Sequence, residues 1–81
     1  MARYQILYWQ DVPSVIKAFD ETGETKRQLP DWYQQEIDKR AMVQGLTGSD
    51  EYLEQWRWGE PEERPGTPDE VLDAVERELE A

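Results

Sequence analysis

The segment Tyr4-Gln5-Ile6-Leu7-Tyr8-Trp9 constrains the fold more than any other part of the chain. It is rich in the β-branched and aromatic residues that suit a pleated strand. Strand side chains alternate between faces, so Tyr4, Ile6 and Tyr8 share one face and Leu7 and Trp9 the other. A strand apolar on both faces is usually central and covered on both sides. The chain has only 81 residues, which is one domain spanning residues 1–81, with one core. A core of this size leaves a net stability of roughly 3–5 kcal/mol. The expectation is one helix-covered face and one partly exposed aromatic face.

The rest of the chain fills in that scheme. Asp11-Val12-Pro13-Ser14 breaks the first strand, because Pro13 has no N–H to donate. Val15–Phe19 reads as a second strand, Asp20–Glu24 as a hairpin turn, and Thr25–Leu29 as a polar returning edge. Asp31 is placed to cap a helix running to about Gln44, with Tyr33, Ile37 and Ala41 on one face. Gly45 stands where a helix-ending glycine is expected, followed by Leu46. Thr47 with Asp50 offers a second cap and a short helix through Tyr52 and Leu53. Gln55–Gly59 reads as a fourth strand and Glu60–Gly66 as a solvated loop. Thr67-Pro68-Asp69-Glu70 combines an N-cap threonine, proline at the first helical position and glutamate at the third. Val71, Leu72, Val75 and Leu79 then form one apolar stripe. The fold class is α+β, a small three- to four-stranded, mostly antiparallel sheet. Two main helices and one short helix are expected to pack on one face.

Two absent residue types narrow the chemistry. Without cysteine there is no disulfide, thiolate nucleophile or cysteine-held metal. Without histidine the commonest general base and zinc ligand are missing. No cofactor and no metal site are expected. The net charge is −10. Up to Leu46 the chain has 6 basic and 7 acidic residues, and from Thr47 onward 3 basic and 12 acidic. Such a chain repels phosphate, so no nucleic acid and no anionic membrane surface is expected as a partner. No apolar run approaches the ~20 residues of a membrane span, and no signal-peptide pattern opens the sequence. The cytoplasm is the expected location.

Several groups invite a functional reading. The aromatics Tyr4, Tyr8, Trp9, Trp32, Tyr33, Tyr52, Trp56 and Trp58 either build the bulky core or leave a stacking surface for a partner. The acids Glu60, Glu62, Glu63, Asp69 and Glu70 lack the calcium-loop pattern and read as a solvated run with first-turn acids. Ser14 and Lys17 form a conceivable nucleophile pair without an oxyanion hole, and a turn is the simpler reading. Arg57 points away from Trp56 and Trp58, to pair with an acid or stack on a ring.

The segments Ile6–Trp9 with Asp11-Val12-Pro13, Leu29-Pro30, Ala41-Met42, Gly45–Leu53 and Trp56-Arg57-Trp58-Gly59 resemble a small bacterial family known as virulence factor. The resemblance covers nearly all of the chain. It implies a domain that also occurs within a larger conserved virulence protein of Gram-positive bacteria, and it brings no catalytic residues.

The expected function is a non-enzymatic interaction or accessory module. It would bind a protein partner through exposed aromatics of the sheet and the neighbouring short helix, as a monomer or a homodimer. Tyr8, Trp9, Trp56, Arg57 and Trp58 are the candidate binding residues. The alternatives are a small-ligand binder or minor enzyme subunit with an aromatic pocket, and an acidic nucleic-acid mimic. A closed aromatic concavity favours a ligand, and an open exposed patch favours a protein.

Overall fold

In the computed structural model, which describes residues 1–80, the first three strands form an antiparallel meander. They are β1 (Ala2–Trp9), β2 (Val12–Asp20) and β3 (Gly23–Gln28). Helix α1 (Asp31–Val43) and the short α2 (Asp50–Glu54) follow. The chain then returns to the free side of β1 as two short strands, β4 (Trp56–Trp58) and β5 (Glu62–Arg64). It closes with α3 (Pro68–Glu80). The sheet is open, in the order β3-β2-β1-β4, with β5 also on β1. It is an α+β fold, as the sequence predicts.

β1 is the middle strand. One side pairs with β2 along its length. On the other side, Leu7–Trp9 pairs with β4 and Ala2–Tyr4 with β5. Pro61, between them, has no N–H to continue a ladder.

The sheet therefore has five strands rather than three or four. The segment expected to be part of a loop, Glu62–Arg64, is a strand held by polar groups. Arg3 pairs with Glu63 at 3.1 Å, and the Tyr4 hydroxyl donates to Glu62 at 2.5 Å. Arg64 pairs with Glu78 of α3. Likewise β2 begins at Val12 and not Val15. The turn is confined to Gln10 and Asp11, and Gln10 has a φ of 54°.

The helix ends follow local chemistry. The reciprocal box at α3 forms: Glu70 N–H donates to Thr67 Oγ1 at 3.3 Å, and Thr67 N–H donates to Glu70 Oε1 at 3.1 Å. At the end of α1, Gly45 takes φ 72°, a left-handed conformation that suits glycine. Leu46 N–H then donates to Ala41 O and Gly45 N–H to Met42 O, the paired bonds of a Schellman ending. Two expected caps are absent. Pro30 occupies the cap of α1, with Asp31 as the first helical residue, and Ser49 rather than Thr47 precedes α2. Neither makes a side-chain capping bond.

The core joins Ala2, Trp9, Val12, Ile16 and Ala18 of the sheet to Tyr33, Ile37 and Ala41 of α1. Val71, Leu72 and Val75 of α3 complete it, with Leu29 from the connection before α1. The Tyr33 hydroxyl donates to the Leu79 carbonyl at 3.1 Å, tying α1 to α3. Arg27 pairs with Asp73 and Glu76 of α3, and Arg40 with Asp11 and Glu36. These pairs are partly or well exposed and screened by water, so each adds little to stability. Burial of the three apolar stripes is the larger stabilising term.

Candidate functional site

The aromatic cluster is set by a slip in the β1–β2 ladder. Ile6 faces Ile16 and Leu7 faces Val15, but Tyr8 faces Pro13 and Trp9 faces Val12. Without the slip Trp9 would lie opposite Pro13. The extra residue in β2 is the signature of a bulge, which re-aims side chains. Trp9 instead pairs with buried Val12 and is itself 0% exposed. Its Nε1–H donates to the Tyr52 carbonyl at 3.0 Å, and its ring lies 5.5 Å from that of Tyr52. Trp9 therefore belongs to the core and offers nothing to a partner.

The other four candidates stay together beside it. Trp56 faces Trp9 across the ladder, is half-buried, and meets Tyr52 edge-on at 6.3 Å. Arg57 faces Tyr8 and is exposed; its Nη2 donates to the Gln10 carbonyl at 3.4 Å. Tyr8 is half-buried. Its ring comes within 3.2 Å of where a Cβ on Gly59 would stand, so a larger residue there would press on the Tyr8 ring. Gly59 N–H donates to the Ile6 carbonyl at 2.8 Å, fixing the chain after β4. Trp58 faces Leu7 and remains 40% exposed. The Lys17 ammonium lies 4.5 Å from the centre of its ring and 5.7 Å from that of Phe19, within cation–π range.

The weaker candidates resolve structurally. Ser14 is buried and lies three residues from Lys17 on one strand, so the two point to opposite faces. Glu62 and Glu63 serve β5, and Glu70 serves the cap of α3. The Glu62 carboxylate that accepts the Tyr4 hydroxyl, together with burial, pushes Tyr4 up to about 12. Among the described residues, no group of three or more acidic side chains is arranged to hold a metal ion. No helix among them is long and apolar enough to cross a membrane.

Two concavities flank the cluster. A small one of about 150 Å³ is lined by Tyr4, Ile6, Tyr8, Gly59, Glu60 and Glu62. A larger groove of about 490 Å³ opens between α1 and α2. Its exposed walls are Met42 and Leu53, 72% and 65% exposed. The sequence reading missed Met42 as a surface residue. The signal was there, because Met42 falls off the Tyr33–Ile37–Ala41 stripe that faces the core.

The model of the virulence factor family matches residues 7–81. The chain belongs to the virulence factor family. The match takes in β4 with Trp56, Arg57 and Trp58, the α1–α2 groove and α3. No curated protein and no solved structure matches the chain.

Proposed function

We propose that this virulence factor family member is a non-enzymatic interaction module that holds a protein partner against the sheet surface bearing Trp58. The observation that carries the reading is the state of Trp58 itself. It sits on a paired strand, its position fixed by Leu7 across the ladder, yet it is 40% exposed. A large ring on a rigid element costs little entropy to bury, which makes aromatics and arginine the usual anchors of an interface. Arg57 and Tyr8 stand at the next ladder position, which by strand alternation faces the other side of the sheet. Lys17, whose ammonium lies over the Trp58 ring, takes part in no ion pair among the described residues, so it is available to carboxylates of a partner. The tyrosine-lined concavity, at about 150 Å³, is smaller than the roughly 300–1,000 Å³ of ordinary ligand sites. Beside β4, that favours a protein over a small ligand.

The test is capture of partners from the native host, followed by calorimetry with the purified partner. Trp58→Ala is expected to weaken binding at least tenfold, about 1.4 kcal/mol or more. Equal affinity of Trp58→Ala and wild type would refute the reading, as would a loss of affinity explained by unfolding.

A further inference from the structure

The groove between α1 and α2 uses different residues from the Trp58 surface. Asp38 and Met42 stand one helical turn apart on α1 and form one wall. Tyr52 and Leu53 of α2 form the other, and Thr47, Gly48 and Ser49 line it between them. We propose that this groove binds an amphipathic basic helix of a partner protein.

Three observations carry the proposal. The groove is large enough, at about 490 Å³, within the range of ordinary binding clefts. Its walls combine an adaptable side chain with a fixed one. Met42 is flexible and solvent-facing, which suits an apolar anchor of varied shape. Tyr52 is held from behind by Trp9 and Trp56, so that wall does not need ordering on binding. The charge then selects the occupant. Asp38 and Asp50 line the groove, and neither is in an ion pair among the described residues. Glu51 and Glu54 lie exposed on α2. An acidic occupant is repelled, and that includes a second copy of this chain with its net charge of −10. A helix with leucine-like anchors on one face and lysine or arginine beside them meets both the apolar walls and the carboxylates. The groove offers side chains from two helices and no free strand edge, so it suits a helix better than an extended peptide.

The experiment titrates the isotope-labelled intact chain with a synthetic helix of leucines along one face and lysines along the other. A control peptide carries glutamate in place of lysine. Amide shifts are expected at Asp38–Met42 and Thr47–Leu53, saturating with the lysine peptide and weakening with added salt. Leu53→Ala is expected to lower affinity at least about tenfold, while Trp58→Ala leaves it unchanged. Leu53 is mostly exposed, so this variant folds, and circular dichroism verifies it. No shifts at millimolar peptide, shifts centred on Trp58, or equal binding of the glutamate peptide would each overturn the proposal. Because Trp58→Ala separates the two surfaces, failure here leaves the Trp58 reading standing, and the reverse also holds.

Discussion

Replacing Trp9 by phenylalanine tests the division of labour among the tryptophans. Trp9 is fully buried, and its Nε1–H is bonded to the Tyr52 carbonyl at 3.0 Å. Phenylalanine keeps a ring but has no donor. Loss of that bond costs about 0.5–1.5 kcal/mol. The smaller ring also gives up buried apolar surface, for about 1–2 kcal/mol more. The sum is roughly 1.5–3.5 kcal/mol, against a net stability of about 3–5 kcal/mol for a domain of this size. With a urea dependence near 1 kcal/mol per molar, the unfolding midpoint falls by about 1.5–3.5 M. The control is Trp58→Ala. It gives up the Lys17 contact and the burial of the larger part of a ring, roughly 2 kcal/mol together, but no buried hydrogen bond. Urea unfolding followed by far-ultraviolet circular dichroism measures both. A Trp9→Phe cost below about 0.5 kcal/mol would refute the assignment of Trp9 to the core.

Other outcomes follow from the helix caps and the titrating groups. Thr67→Ala is expected to cost about 1 kcal/mol in the same assay, because Glu70 N–H loses its capping oxygen. An ultraviolet titration should show Tyr4 ionising near 12, and Glu62→Gln should bring it down. Its raised value stabilises the fold below the ordinary tyrosine range, and that contribution is lost as pH rises through about 12. Glu78 behaves in the opposite sense. The Arg64 guanidinium bonded to it holds its carboxyl below the usual range, so its contribution is present above the ordinary glutamate value and lost as pH falls through the folded one. Glu78→Gln should therefore lower stability at neutral pH and match wild type in strong acid, as thermal melts across that range would show.

What could be read in the sequence was what short stretches decide alone. Thr67–Glu70 specifies its own box, and Gly45-Leu46 its own helix ending, because every partner lies within a few residues. The apolar stripes of α1 and α3 were legible for the same reason. Pairing between distant segments was not. That Trp9 faces Val12 rather than Pro13 depends on a slip that only β1 and β2 together create. Glu62–Arg64 has no apolar signal, and it becomes a strand because Arg3 and Tyr4 of β1, and Glu78 of α3, supply polar partners. The α1–α2 groove depends on how the Gln44–Ser49 connection sets one helix against the other, which periodicity does not encode. Of the five candidate binding residues, Tyr8, Trp56, Arg57 and Trp58 do lie together, since β4 pairs directly with the end of β1.

The Trp58 surface is tested most directly by the indole N–H signals of the labelled chain as a purified host partner is added. The four tryptophans give four separate reporters. The Trp58 indole signal should shift, together with the backbone amides of Leu7, Tyr8 and Arg57, while the buried Trp9 indole, held to the Tyr52 carbonyl, stays in place. Movement of the Trp32 or Trp9 signals with Trp58 unmoved would contradict a docking surface on this side of the sheet.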